Sequence, residues 1–169
     1  MSKEQSFLDQ INQHRGILYK IARIYVDDPD DREDLVQEMT YQVWRSYDSF
    51  KSQSLFSTYL YRICLNTAIL SFKKEKRRSS TEQSFFLESE NVLKDEENKK
   101  ELQLSQIYNA FKYLTDIEKA ILFQYLEGLP QSDISKNLGL SEVNVRVRFH
   151  RIKEKIKSII AKTEEYENG

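Results

Sequence analysis

Basic side chains recur at helical spacing near the carboxyl end of this 169-residue sequence. Arg146, His150 and Lys153 follow one another at i, i+4 and i+7, which places them on one face of a helix. Arg148 and Arg151 flank that face. Arginine can pair bidentately with guanine, and phosphate contacts are expected from Lys153, Lys155 and Lys157, so this helix is suited to binding duplex DNA. The plainer interpretation is a basic amphipathic helix with no nucleic-acid role.

A helix-turn-helix pattern surrounds the start of this basic helix. Two closely crossing helices need a small residue in the first, a residue that tolerates positive φ at the turn, and a β-branched residue in the second. Ser135, Gly139 and Val145 stand at those offsets. Ser141 can cap the second helix, whose first turn is then free to enter a major groove. Apolar contacts between the two helices are expected from Ile134, Leu138 and Leu140.

Composition restricts the class of protein. Gly occurs four times, Pro twice, and charged residues make up 31% of the chain, which favours an all-α fold of long amphipathic helices. Cys64 is the sole cysteine, so neither an internal disulfide nor a Cys-based metal cluster is expected. His14 and His150 fall in separate parts of the chain, and no P-loop, His-Glu-x-x-His or nucleophile-elbow motif occurs. We therefore predict no enzymatic activity, no cofactor and no metal.

Charge is segregated along the chain although the net charge is only −1. Acidic residues dominate Asp27 to Asp34 and Glu88 to Glu101, whereas basic residues dominate Lys73 to Arg78 and Glu142 to Lys157. A single such run is usually a solvated helix face, but alternating blocks favour a shared purpose. The N-terminal residues lack a leader-like pattern and no apolar run is long enough to cross a bilayer, so we predict a cytoplasmic protein without membrane insertion.

Three predicted helices make a first domain, residues 7–78. Apolar spacing predicts one helix from Phe7 to Tyr25. Asp30 and Glu33 resemble a capping box for a second helix, which runs to about Tyr47. The apolar face of that helix consists of Leu35, Met39, Val43 and Tyr47. The apolar face of the third helix consists of Phe56, Leu60, Ile63, Thr67 and Leu70.

A second predicted domain, residues 101–163, follows an acidic segment. Residues 79–100 are polar enough that a flexible linker is expected. The next helix has an apolar face consisting of Leu104, Ile107, Phe111 and Leu114. Thr115 and Glu118 have capping-box spacing and open a helix through Leu126, which Gly128 and Pro130 end. Two short helices are predicted around the turn of the helix-turn-helix.

Both domains resemble one known family. The first domain resembles region 2 of sigma factors of the extracytoplasmic-function (ECF) type. The residues that carry this resemblance are Asp31-Arg32-Glu33-Asp34-Leu35-Val36-Gln37-Glu38, Val43-Trp44, Tyr47, Phe50 and the block from Phe56 to Ala68. Leu114-Thr115 and the stretch from Ile134 to Lys157 resemble sigma region 4. The matches keep the family's order and leave only the linker and the ends unmatched. The resemblance implies a sigma factor that directs core RNA polymerase to promoter DNA.

The resemblance also implies roles for individual residues. The set expected to dock on the clamp helices of the polymerase's largest subunit is Asp34, Leu35, Gln37 and Glu38. The set expected at the −10 promoter element, where a base is flipped out and captured, is Phe50, Lys51, Ser52, Phe56, Tyr59, Arg62, Asn66, Lys73 and Lys74. The set expected at the −35 element is Ser141, Asn144, Arg146, Val147, Arg148, His150, Arg151 and Lys153. The flap of the second-largest subunit is a further expected partner.

Each aromatic in the −10 set has packing in the core as its alternative, and that alternative is favoured for Phe56. Three other functions compete: a helix-turn-helix regulator that acts without polymerase, an enzyme, and an all-α interaction protein. The first gives no purpose to the acidic helix or to residues 50–66. A linker of about 22 residues would also permit an anti-sigma protein to hold the two domains inactive.

Overall fold

A computed structural model describes the backbone of residues 1–78 and 96–168, and the side chains outside residues 72–98 and 167. Within those ranges the regular elements are helices, which confirms the all-α prediction. They are α1 (Lys3–Gln13), α2 (Arg15–Tyr25), α3 (Pro29–Ser46), a 3-10 turn (Tyr47–Ser49), α4 (Phe56–Arg78), α5 (Glu96–Phe111), α6 (Asp116–Leu126), α7 (Gln131–Leu138) and α8 (Glu142–Asn168). Most of the predicted linker, residues 79–95, lies outside the described residues, and helix α5 begins at Glu96 within its last part.

The prediction of a single helix from Phe7 to Tyr25 is wrong, because the helix is interrupted between α1 and α2. His14 has φ −113° and ψ 16°, which is outside the helical region. Its backbone N–H donates to the carbonyls of Gln10 and Ile11 and closes α1. The break lets both short helices turn an apolar side toward the core, with Phe7 and Ile11 buried on α1. The apolar residues keep their helical spacing across His14, so the sequence pattern did not reveal that the helix is interrupted there.

Helix α3 begins at a different cap from the one predicted. Asp28, not Asp30, is the N-cap: its carboxylate accepts from the backbone N–H groups of Asp30 and Asp31 at 2.8 and 3.1 Å. Pro29 occupies the first helical position, where its missing N–H costs nothing. The predicted face is otherwise confirmed, since Leu35, Met39 and Val43 are buried.

Helices α2, α3 and α4 form the interior of the N-terminal bundle. Fully buried members include Leu18, Ile21, Met39, Leu60 and Leu65. The predicted face of α4 was correct at its start but not at its end. Leu70 is 61% exposed, because the buried stripe continues instead through Cys64 and Ala68. Burial raises the pKa of the Cys64 thiol to about 12, so this side chain is a packing group.

The prediction for the apolar face of α5 was also partly wrong. Phe111 and Leu114 are buried, but Leu104 and Ile107 are 49% and 44% exposed. Only the last turn of α5 packs on α2, where the Tyr108 ring lies 4.0 Å from the Arg23 guanidinium carbon. Tyr108 packs against the core, whereas Leu102, Leu104 and Ile107 are exposed, so the apolar residues that α5 buries lie at its carboxyl end.

The helix-turn-helix geometry is confirmed at each predicted position. Gly139 adopts φ +67° at the end of α7, a left-handed conformation that glycine takes without a side-chain clash. Ser135 and Val145 are buried where α7 and α8 cross. The two helices are not both short, however: α7 has 8 residues and α8 has 27.

The helix-turn-helix packs directly against the N-terminal bundle. Helices α6 and α7 contact α2 and α4, and the buried apolar residues of both parts form one continuous cluster. We call this contact, between α2 and α4 on one side and α6 and α7 on the other, the seam. Polar groups also bond across it: the Tyr25 hydroxyl donates to the Asp116 carbonyl at 2.7 Å. Glu127 accepts from Lys20 Nζ at 3.0 Å and from the Tyr61 hydroxyl at 3.1 Å. These partners come from opposite sides of the seam, so it is a specific contact.

Candidate nucleic-acid interface

The basic face of α8 is built on a buried apolar side of the same helix. Val145, Phe149 and Ile152 are buried against α6 and α7, so the opposite side faces solvent. Ser141 caps the helix, accepting from the Asn144 backbone N–H at 3.1 Å as the sequence predicted. The exposed residues of the predicted set on this element are Ser141, Arg146, Val147, His150, Arg151 and Lys153.

Three members of the predicted −35 set, Asn144, Arg148 and Lys153, have side-chain partners on α8. Arg148 Nε donates to Asn144 Oδ1 at 2.7 Å, and both side chains are half-buried. Lys153 Nζ lies 4.7 Å from the centre of the Phe149 ring. These contacts hold Arg148 and Lys153 close to the helix surface, whereas Arg146 and Arg151 extend from its exposed side.

Lys155, which the sequence suggested for a phosphate contact, is instead paired within the protein. Its Nζ lies 2.7 Å from Glu118 Oε1. Glu118 also accepts from the Thr115 backbone N–H and completes the predicted capping box of α6. Burial opposes ionisation of Glu118, but the hydrogen bonds from Lys155 and Thr115 outweigh it and hold its pKa below the ordinary value. The pair therefore ties α8 to the start of α6, a role that no local sequence pattern indicated.

The acidic set on α3 is divided between solvent and core. Asp34, Gln37 and Glu38 are exposed on one side of the helix. Leu35 is buried, so in this conformation it supports the helix from inside. Glu38 accepts a hydrogen bond from Gln42 Nε2 at 2.9 Å. The exposed side thus offers carboxylates and an amide to a basic or polar partner.

Five aromatic rings form a connected cluster around the turn after α3. The Phe50 and Tyr59 ring centres are 5.0 Å apart, and those of Phe50 and Phe56 are 5.5 Å apart. Tyr47 stacks on Phe50 at 6.4 Å, and Trp44 stacks on Tyr47 at the same distance. Phe50 and Tyr59 are half-buried, whereas Phe56 is 6% exposed. Phe56 is therefore a packing residue in this conformation and does not present its ring to a base.

The loop between the two flanking phenylalanines is exposed throughout. Residues 51–55 include the predicted DNA contacts Lys51 and Ser52, and Ser52 adopts a left-handed φ of +55°. Tyr59 has a further anchor, because its hydroxyl is hydrogen-bonded to the Ser46 hydroxyl. Burial raises the pKa of the Tyr59 hydroxyl, which keeps it protonated as a hydrogen-bonding group. The cluster thus fixes both ends of an exposed loop.

Asn66 lies at the seam between the two parts of the molecule. Its Nδ2 donates to the Arg62 carbonyl on α4 at 2.8 Å and to the Asn137 carbonyl on α7 at 3.2 Å. Asn137 is itself held by a buried hydrogen bond from its Nδ2 to Gln124 Oε1 at 2.8 Å. The Asn66 amide nitrogen therefore donates once within α4 and once to the helix-turn-helix, and the second contact could not be found from the sequence because 71 residues separate the partners.

An open groove of about 630 Å³ joins two of the predicted sets. It runs between α3 and α4, with Asp34 and Glu38 on one side and Asn66 and Thr67 on the other. Arg62, from the −10 set, is exposed on α4. Lys73 and Lys74 lie on the last turns of α4, and their side chains are outside the described residues. None of the described helices combines the length and apolar character that a membrane crossing requires.

Comparison with known proteins assigns both parts of the chain to one family. The model of sigma-70 region 2 matches residues 10–78, and the model of sigma-70 region 4 matches residues 104–156. The ECF RNA polymerase sigma-E factor of Escherichia coli strain K12 is 32% identical over 137 residues, which cover 75% of this chain and 72% of the relative. The chain belongs to the ECF type of the sigma-70 family. As a sigma factor, it directs core RNA polymerase to promoter DNA and initiates transcription.

Other similar proteins agree with this family. The RNA polymerase sigma-H factor of Pseudomonas aeruginosa is 31% identical over 155 residues, 85% of this sigma factor and 79% of the relative. Among solved structures, the sigma factor RpoE in complex with the anti-sigma factor NepR from Bartonella quintana aligns with a TM-score of 0.74 at 20% identity, covering 93% of this chain and 98% of that one. CnrH in complex with the cytosolic domain of CnrY aligns with a TM-score of 0.67 at 20% identity, and the alignment covers 95% of this chain and 91% of that one. These two likenesses concern the fold.

Proposed function

We propose a division of promoter and polymerase recognition among three surfaces of this sigma factor. The exposed side of α3, with Asp34, Gln37 and Glu38, docks on the clamp helices of the polymerase's largest subunit. The loop at residues 51–55, which Phe50 and Tyr59 flank, captures a base of the −10 element together with Asn66 on α4. The exposed face of α8 reads the −35 element, with Arg146 and Arg151 at base edges.

One observation carries this division: the exposed members of the three sets project mainly from different elements, which are the side of α3, the loop at residues 51–55 and the face of α8, and each element has the chemistry of its target. Carboxylates project from α3, an exposed loop is framed by aromatic rings, and guanidinium groups project from a capped helix. A helix-turn-helix regulator that acts alone would need only the last surface. Since the protein supplies binding groups for DNA and polymerase, we further propose that it catalyses no reaction itself and works in the cytoplasm beside the polymerase.

The closed arrangement implies an order of events at the promoter. The Asn66 amide nitrogen donates to the Arg62 and Asn137 carbonyls, so it can donate to a base only when one of these bonds breaks. We expect the Asn137 bond to be the one that breaks, which removes a contact between α4 and α7 and favours their separation. An anti-sigma protein that binds both domains would oppose this separation. We expect such a protein to exist, and affinity purification of the sigma factor from its host tests this, with recovery of polymerase subunits alone counting against it.

The polymerase surface is tested by binding to core enzyme. The triple variant D34A/Q37A/E38A should abolish co-purification with core polymerase while helical content stays unchanged, because all three side chains are exposed. A matched control is the triple variant Glu142→Ala, Glu164→Ala and Glu165→Ala, which removes exposed acids from α8. Unaltered binding by the α3 variant would overturn the assignment.

The −10 surface is tested by comparing two templates. Phe50→Ala and Asn66→Ala should bind core polymerase and fail on duplex promoters, yet retain more activity on a template whose −10 region is already unpaired. The rescue is expected because an open bubble removes the unpairing cost, leaving only base contacts of about 1–3 kcal/mol each. An equal loss on both templates, or a melting temperature low enough to explain the loss, would return Asn66 to a structural role.

A further inference from the structure

Helix α1 contacts the ring cluster that frames the loop at residues 51–55. Phe7 is buried, and its ring centre lies 4.9 Å from that of Trp44 and 5.3 Å from that of Tyr47, both in edge-to-face geometry. The Ser6 and Tyr47 hydroxyls are hydrogen-bonded at 3.2 Å. Residues 3–9 of this helix precede the segment that the region 2 model matches. No family pattern therefore assigns them a role.

The contacts of α1 reach both ends of the loop. Tyr47, which α1 holds, stacks on Phe50 at the start of the loop. His14, at the end of α1, lies 5.4 Å from the ring centre of Phe56, at the end of the loop. The loop's two flanking rings are thus each supported from the same helix, directly or through one intermediate ring.

Charge reinforces the same contact. Lys3 Nζ lies 2.8 Å from Asp48 Oδ1 in the 3-10 turn and 4.5 Å from the centre of the Trp44 ring. The turn at Tyr47–Ser49 leads directly into Phe50. Helix α1 therefore fixes the chain immediately before the loop by an ion pair, a hydrogen bond and ring packing. The ion pair is exposed and contributes least.

We propose that helix α1 is a positioning element for the −10 base-capture loop, acting through Tyr47 on Phe50 and through His14 on Phe56. The inference rests on the proposed role of that loop. Capturing a flipped base requires the surrounding groups to be in place before the base arrives. A ring that α1 already holds in place is preorganised for the base. A mobile ring would have to be ordered when the base binds, and that cost would reduce the binding free energy.

The test uses holoenzyme assembled with the full-length sigma factor and measures open-complex formation on a duplex promoter and on the same promoter with its −10 region unpaired. Phe7→Leu and Tyr47→Leu should each lower the duplex-to-unpaired ratio by about two- to tenfold, the range expected when an aromatic pair is lost. Tyr47→Phe keeps the ring and should keep most of the ratio. Ile11→Val, a buried change on the same helix without a ring, should lower the melting temperature and leave the ratio unchanged.

The variants separate two ways of being wrong. If Phe50→Ala leaves the ratio unchanged, the proposed role of the loop fails. If Phe50→Ala lowers the ratio but Phe7→Leu and Tyr47→Leu do not, only the role of α1 fails. A ratio that falls equally in Ile11→Val would show that general stability, not positioning, is measured, and would also overturn the inference. If Phe7→Leu does not fold, the comparison of Tyr47→Leu with Tyr47→Phe tests the role of α1.

Discussion

The surface proposed for the −35 element and the surface proposed for the −10 element differ in how complete they are in the free protein. On α8 the basic residues Arg146 and Arg151 are exposed, and the helix beneath them is fixed by a cap and a buried side. In the set proposed for the −10 element, Asn66 is bonded to α7 and Phe50 is packed among other rings. A surface that reads intact duplex can be complete in the free protein. A surface that captures a base after melting can be held closed until the promoter opens it.

The largest loss of stability is expected from a substitution on the buried side of α8, beneath its basic residues. Ile152→Ala leaves a cavity at a fully buried position and should cost about 2–5 kcal/mol of unfolding free energy. Binding to a −35 duplex should fall, while binding to a single-stranded −10 oligonucleotide should be retained. Arg151→Ala, its exposed neighbour, should reduce duplex binding with almost no change in stability. Chemical denaturation and fluorescence titration measure both quantities, and equal loss at both DNA targets would contradict the separation of the surfaces.

A smaller effect is expected at a single base-reading side chain. Arg146→Ala should cost about 1–3 kcal/mol at the cognate −35 sequence and relax preference at one promoter position. Selection from a randomised −35 library measures this change. Lys162→Ala, further along α8 and exposed, is the matched control and should leave the preference intact. An unaltered preference in Arg146→Ala would mean that α8 docks differently from the proposed arrangement.

A variant at the seam should change the free energy that holds the two parts of the molecule together by about 1 kcal/mol. Glu127→Gln weakens the bonds from Lys20 and Tyr61 without changing side-chain size, and a hydrogen bond to a charged group is worth about that much after solvent screening. The mean distance between α1 and α8, measured by energy transfer between attached dyes, should increase. Glu101→Gln changes an exposed acid on α5 and should leave the distance as it is. No difference between the two variants would show that the Glu127 bonds do not hold the seam.

The smallest expected effect depends on pH. The folded-state pKa of Glu118 lies below its ordinary value of 4.5, so its stabilisation is present above that value and is lost as the pH falls through the folded-state pKa. Glu118→Gln should therefore destabilise by about 1 kcal/mol at pH 7 and by less in acid. Thermal melts at pH 7 and pH 3 measure the difference. A loss of the same size at both values would exclude the Lys155 ion pair as its cause.

Much of the fold was predictable because its signals are local. The capping box of Thr115 and Glu118, the left-handed Gly139 and the cap at Ser141 each depend on residues within a few positions of one another. Where local signals compete, prediction failed: Asp28 and Asp30 both suit an N-cap, and apolar spacing continues through the break at His14. The assignments of residues to −10, −35 and polymerase contacts remain predictions, which the experiments above test.

The sequence by itself determined the all-α class, the helix-turn-helix and the sigma-70 family, because helical periodicity, turn chemistry and family motifs are written in consecutive residues. Only the tertiary structure decided which polar groups are already engaged. Lys155 is paired with Glu118 across 37 residues, and Asn66 with Asn137 across 71. It also placed Phe7 against Tyr47, which stacks on Phe50, and His14 against Phe56, at the two ends of the loop at residues 51–55. Such contacts depend on how helices pack, and packing brings together residues whose separation along the chain carries no pattern to read.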